Sequence, residues 1–88
     1  MELKDKRVVV TGGGTGIGRG VALAFAAEGS RVVICGRREE PLQETASAHS
    51  GDNTILLKTC DVADRESVGS FFPWVEETLG GIDIIVIN

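Results

Sequence analysis

The run Thr11, Gly12, Gly13, Gly14, Thr15, Gly16, Ile17, Gly18 has the residue types and spacing of a loop that holds phosphate. The segment before it, 6–11, is short and β-branched, so the glycines stand where a strand turns sharply into a helix. Glycine has no Cβ to keep the backbone away from an anion, and it tolerates positive φ. A helix beginning near Gly16 then aims free N–H groups and a partial positive charge at a pyrophosphate. The chemistry implied is a cradle for the phosphates of a dinucleotide.

Two other phosphate loops compete with this reading. The GxxxxGK(S/T) loop of nucleoside triphosphatases nearly fits 13–20. However, Arg19 stands in the place of its lysine and Gly20 in the place of its Mg²⁺-binding hydroxyl, and both replacements remove chemistry. The GxGxxG dinucleotide fingerprint matches in no register; the pattern present is GxxxGxG, on Gly12, Gly16 and Gly18.

Other reactive residue types are sparse. Ser47, His49 and Ser50 lie close together on an exposed helix end with no evident acid partner, so no catalytic triad is read there. Two cysteines and one histidine offer no metal-ligand spacing. Cys35 and Cys60 each end an apolar run and read as small buried thiols. Phe71, Phe72 and Trp74 could stack on bases, but helical spacing beside Val68 and Val75, with no basic groove, marks them as core.

The frame for these residues follows from hydrophobic periodicity. Strands are expected over 6–11, 31–35, 54–60 and 82–87, each apolar along its length. The first helix places Ile17, Val21, Ala24 and Phe25 on its inner face, with Ala22, Ala26 and Ala27 filling in and Arg19 and Glu28 outside, and it stops at Gly29. Glu39, Glu40 and Pro41 suit the start of a second helix, which fades by His49. Asp64 is the expected N-cap of a third, with Val68, Phe71, Phe72, Val75 and Leu79 as its buried stripe, a kink at Pro73 and an end at Gly80 and Gly81. The order βαβαβαβ predicts an α/β fold, a doubly wound parallel Rossmann-like sheet with strand order 3-2-1-4. A ligand then lies beyond the carboxyl ends of strands one and four, where the order reverses.

Composition narrows the partners. The chain has 88 residues, is 42% hydrophobic and carries a net charge of -4, as a globular protein does. Its charges are interspersed without a basic patch, so nucleic acid is not an expected partner. No apolar run reaches the roughly 18–20 residues of a membrane span. Residues 1–6 lead straight into the first strand without a signal peptide, so the default location is cytoplasmic or an organelle matrix.

With Thr11, Gly12, Gly16, Ile17 and Gly18 placed directly after a strand, the chain resembles the short-chain dehydrogenase/reductases. Asp61 and Val62, after strand three, are similar to that family's adenine-contacting Asp-Val pair. Segment 83–88, ending at Asn88, resembles the start of its DxLVNNAG segment. The resemblance covers all 88 residues and makes them the N-terminal part of a longer single-domain oxidoreductase. It implies that Gly12, Gly16, Ile17 and Gly18 line the pyrophosphate and the nicotinamide-side ribose, with Thr15 inside the same loop. Asp61 would accept a hydrogen bond from the adenine amino group, Val62 would pack on the ring, and Asn88 would lie near a ribose. Ile87 departs from the pattern: it replaces the first Asn, exchanging a buried amide for an aliphatic group in the central strand and leaving the cofactor assignment standing.

Which nicotinamide is bound turns on the end of strand two. NAD enzymes place an acid there, about 20 residues past the glycines, to bind the ribose 2′-hydroxyl. Here that position is Gly36, followed by Arg37 and Arg38. Glycine opens space for a phosphate, and arginine matches phosphate bidentately. NADP(H) is therefore expected over NAD(H), with Arg37 as the main 2′-phosphate ligand and Arg38 secondary, although Glu39 or Glu40 could swing back to a 2′-hydroxyl. The family's catalytic Tyr, Lys, Ser and Asn lie downstream of its NNAG segment, and this chain contains no tyrosine. The resemblance thus implies an enzyme that moves a hydride between NADP(H) and a carbonyl/alcohol or enoyl substrate, homo-oligomeric when whole, with these 88 residues alone inactive. Segment 81–88 is similar to the dienoyl-CoA reductase branch, which points to an acyl-CoA. A stand-alone nucleotide-binding module and a non-catalytic truncated isoform are the alternatives.

Overall fold

Runs of Val and Ile become strands because branched side chains suit a pleated surface buried on both faces. The elements follow in the order β1 (Arg7–Thr11), α1 (Gly16–Ala27), β2 (Arg31–Gly36), α2 (Glu39–Ala48), β3 (Leu56–Thr59), α3 (Arg65–Leu79) and β4 (Ile84–Val86). This is a computed structural model describing residues 2–88; Met1, part of the leading segment 1–6, lies outside the described residues.

All strand pairs are parallel, and the sheet order is β3-β2-β1-β4, as the element order predicts. β1 and β2 are the two inner strands; across β1, Val8 lies between Val32 and Ile84, and Val10 between Ile34 and Val86. Alternation along the strands feeds two cores. Val8, Val10, Val32 and Ile34 pack with Ala22, Ala26 and Leu42 beneath α1 and α2. On the opposite face, Val9, Val33 and Cys35 pack with Cys60, Phe71, Val75 and Leu79 of the α3 layer. Both faces of β1 and β2 are thus covered, which is why those strands read as continuous apolar runs rather than alternating ones.

Several local expectations shift. β3 and β4 are shorter than the 54–60 and 82–87 expected, because each is an outer strand with a ladder on one side only. The inner stripe of α1 is Gly18, Ala22 and Ala26, whereas Ala24 and Ala27 are exposed and Ile17 is 78% exposed. Val21, Leu23 and Phe25 flank that stripe and pack against the same core. Arg19, expected on the outer face, is half-buried against α2. Ile87 lies past the end of β4 and is 77% exposed, not buried in the sheet. α3 runs through Pro73 as one continuous helix. Asp64 caps it as expected, accepting from the backbone N–H of Glu66 at 3.1 Å, and left-handed Gly80 ends it. Phe71 is buried and Trp74 half-buried, as core residues should be, with Lys58 Nζ 5.0 Å above the Trp74 ring.

Candidate functional site

The glycine loop leaves β1 at its carboxyl end and enters α1. Gly12 has a φ of 66° and Gly16 a φ of 57°, conformations in which a Cβ is strained. The glycines of the GxxxGxG pattern do different work. A Cβ on Gly16 would meet nothing within 4 Å, so open space faces the start of α1. A Cβ on Gly18 would overlap the carbonyl oxygen of Gly12 and come 2.8 Å from Nδ2 of Asn88. Gly18 is therefore glycine for packing, and Gly16 leaves room. Thr15, the N-cap residue of α1, makes no side-chain capping bond, so its exposed hydroxyl and the first-turn N–H groups lie beside that room. A cradle of this shape and polarity fits a pyrophosphate.

The order reversal between β1 and β4 brings Asn88 to the loop. Thr11 Oγ1 donates to the carbonyl of Val86 at 3.3 Å and accepts from the backbone N–H of Asn88 at 3.0 Å. Asn88 Nδ2 donates to the Gly12 carbonyl at 3.3 Å. Asn88, far along the sequence, thus meets Gly12 and Gly18 at one point.

The loop also opens toward β2. A cleft of about 520 Å³, ample for part of a nucleotide, is lined by Gly12, Gly14, Thr15, Gly36, Arg37, Arg38, Pro41 and Leu42. Arg37 also borders a second hollow, with Thr59, Cys60, Asp61 and Ser67. Arg37 therefore stands between the glycine loop and Asp61. Val62, beside Asp61, is 61% exposed. Of the ten sequence-derived candidates, Gly12, Thr15, Arg37 and Arg38 share one cleft, and Asp61 joins Arg37 in the next. Gly16, Ile17, Gly18 and Asn88 belong to the adjoining loop and helix start, and Val62 to the turn after Asp61.

Two residues that hold this loop had no sequence signal of that role. Thr45, wholly buried in α2, donates from Oγ1 to the carbonyl of Gly13 at 2.8 Å and accepts from Arg19 Nε at 2.9 Å. Arg19 also donates to the carbonyls of Gly14 and Pro41 and forms an ion pair with Glu44 at 3.3 Å. The arginine in the place of the triphosphatase lysine thus binds a carbonyl of the loop itself, that of Gly14, and ties it to α2. Only its neighbours in space, not in sequence, reveal this.

Of the remaining reactive groups, the two thiols are turned inward, whereas Ser47 and Ser50 are exposed and His49 is half-buried. Cys35 and Cys60 are buried. Burial, and then the neighbouring Cys60, push the Cys35 thiol up to about 12, so it is neutral near pH 7 and no nucleophile. His49 Nε2 lies 2.7 Å from Oδ1 of Asn53, and Asn53 Nδ2 donates to the carbonyls of Ala26 and Ser30. No helix among the described residues is long and apolar enough to cross a membrane.

Comparison with known proteins bears on the family and the fold. The family model for short chain dehydrogenase matches residues 6–88. An uncharacterized oxidoreductase of Staphylococcus aureus is 40% identical over 84 residues, which are 96% of this chain and 36% of that protein. A crystal structure of a short-chain type dehydrogenase/reductase from Mycobacterium marinum superposes with a TM-score of 0.90 at 38% identity, covering 96% of this chain and 34% of that one. For a short chain dehydrogenase from Bacillus anthracis the TM-score is 0.91 at 37% identity, covering 100% and 36%. The chain spans about a third of the length of these relatives. The family consists of oxidoreductases that bind nicotinamide cofactors and act on small molecules. By the extent of the family match and the agreement in fold, this chain belongs to the short-chain dehydrogenase/reductases.

Proposed function

We propose that this chain is the NADP(H)-binding part of an enzyme that moves a hydride between NADP(H) and a carbonyl/alcohol or enoyl substrate, an acyl-CoA among the enoyl candidates. The observation that carries this reading is the end of β2. Gly36 stands where an acid would accept a 2′-hydroxyl, and Arg37 and Arg38 line the same cleft as the glycine loop. Two exposed guanidinium groups there suit a 2′-phosphate and offer a 2′-hydroxyl no acceptor. Gly12, Thr15, Gly16, Ile17 and Gly18 would hold the pyrophosphate side, Asp61 and Val62 the adenine, and Asn88 a ribose. The bound cofactor would supply the hydride; these residues bind and orient it.

The general acid/base tyrosine of the family has no counterpart here, since the sequence has none. The 88 residues by themselves are therefore a cradle without turnover. The whole enzyme on this reading is a cytoplasmic homo-oligomer acting on a small molecule.

Titration of dihydronicotinamide fluorescence tests the cofactor assignment. The expected result is at least about tenfold tighter binding of NADPH than NADH, lost in Arg37→Ala, with NADH binding unchanged. Arg38→Ala should show the smaller loss. Equal NADPH affinity before and after Arg37→Ala overturns it.

A further inference from the structure

We propose that Ser67 is a positioning residue for the turn at Asp61 and Val62, and that through this turn it sets the preference of the site for adenine over other purines. This rests on the dinucleotide reading above. The turn leaves β3 at the wall of the hollow that Asp61 shares with Arg37, and Ser67 lines the same hollow from the first turn of α3. Its Oγ accepts the backbone N–H of Asp61 at 2.9 Å.

Three further bonds close the turn. The backbone N–H of Cys60 donates to the carbonyl of Gly36 at 2.8 Å, tying the approach to the end of β2. The backbone N–H of Asp64 donates to the carbonyl of Asp61 at 2.9 Å. The backbone N–H of Ala63 donates to Oδ1 of Asp61 at 3.0 Å. One carboxylate oxygen is thus committed to its own turn, and Oδ2 has no hydrogen-bond donor among the described residues. Of the four bonds, the one to Ser67 joins the Asp61 backbone to a helix side chain, so it holds the turn against α3 while the Ala63 N–H holds the carboxylate within the turn.

A carboxylate oxygen held in that position accepts from an exocyclic amino group and repels a carbonyl in the same place. Discrimination of that kind depends on the acceptor being held still, because a carboxylate free to turn loses its bond to the amino group and escapes the carbonyl. Removing Oγ of Ser67 leaves the Asp61 N–H without its partner and releases the turn. The loss should therefore fall on ligands that carry the amino group.

The test compares NADPH with its hypoxanthine analogue, in which a carbonyl replaces the amino group, by fluorescence titration of the chain and of Ser67→Ala. The unaltered chain should bind NADPH about tenfold tighter than the analogue. Ser67→Ala should weaken NADPH about tenfold and leave the analogue within about twofold, so that the ratio collapses. Ser67→Thr keeps the oxygen and should restore the ratio. An unchanged ratio, or equal losses for both ligands, overturns the proposal and leaves Ser67 an ordinary residue of the helix start. If Ser67→Ala does not fold, Ser67→Cys, similar in volume and a poor acceptor, carries the same expectation. Failure of the underlying reading has its own signature: the unaltered chain binds neither ligand; if it binds both alike, the dinucleotide reading stands and the proposal alone is overturned.

Discussion

At the amino end of the sheet, polar groups are spent on one another. Arg7 donates from Nε and Nη2 to Asp83 at 3.0 Å each and from Nη1 to the carbonyl of Gly80 at 2.8 Å. Arg31 caps the end of α3 through the carbonyl of Leu79, and Ser30 Oγ donates to the carbonyl of Leu3. At the carboxyl end, Arg37 and Arg38 form no ion pair among the described residues, Thr15 caps nothing, and Ile17 and Val62 stand exposed. One fold thus treats the same residue types in two ways. Where arginine binds carboxylate and carbonyl, it fastens β4 and α3 to the frame. Where it lines a cleft beside an open helix start, its donors remain for a ligand.

The contrast breaks most severely at Gly18. Its Cβ would overlap the Gly12 carbonyl, and backbone cannot swing aside as the end of a long side chain can. Gly18→Ala should cost about 1–3 kcal/mol of stability and also displace the loop, so that cofactor affinity falls with it. Thermal unfolding followed by circular dichroism checks the first effect and NADPH titration the second. A midpoint within about one degree of the unaltered chain would show that this close approach constrains nothing.

Thr45 is a closed device inside the open end. Its hydroxyl and Arg19 hold the carbonyls of Gly13 and Gly14, so those partial negative charges are engaged within the protein. Thr45→Val preserves shape and removes the hydroxyl's bonds to the Gly13 carbonyl and to Arg19 Nε. The expected cost is about 1–3 kcal/mol, the range for leaving a buried polar group unpaired, with a further fall in NADPH affinity. Thr45→Ser should restore both. An unfolding curve unchanged by Thr45→Val would remove the clamp from the account.

This pair of residues also marks where sequence reading stops. The element order and the parallel sheet were legible because both faces of β1 and β2 are covered, which writes itself as unbroken Val and Ile runs. The glycine loop was legible because positive φ at Gly12 and Gly16 leaves few residue types a choice. The inner face of α1 was legible in part: Ala22 and Ala26 are buried and Val21 and Phe25 pack on the core, but Gly18, which carries no hydrophobic signal, was missed and the exposed Ile17, which carries much, was placed inside. Gly18 records how near the helix start lies to the Gly12 carbonyl, a distance that periodicity does not encode. Arg19 and Thr45 are 26 positions apart, and Ser67 reaches back six to Asp61. Such bonds depend on how α2 and α3 dock, not on local spacing.

The smallest expected effect probes the closed end alone. The hydrogen bonds from Arg7, with its charge, hold the Asp83 carboxyl well below the usual carboxylate range. A depressed folded-state value means that the unfolded chain binds the proton first as pH falls. The bond's contribution is then complete above about pH 4, the ordinary aspartate value, and drains away below it as pH approaches the folded-state value. Both partners are solvent-accessible, with about a third of each side chain exposed, so screening keeps the contribution small. Asp83→Asn should therefore lower the unfolding midpoint slightly at pH 7, and the two proteins should converge as pH is lowered toward 2. NADPH affinity at pH 7 should not change, because Asp83 binds at the start of β4 and the cleft lies at the other end of the sheet. Unfolding midpoints measured for both proteins across that pH range decide the point. Parallel curves that never converge would mean that Asp83 acts by packing rather than by charge. A loss of cofactor affinity would mean that the two ends of the sheet are not separable.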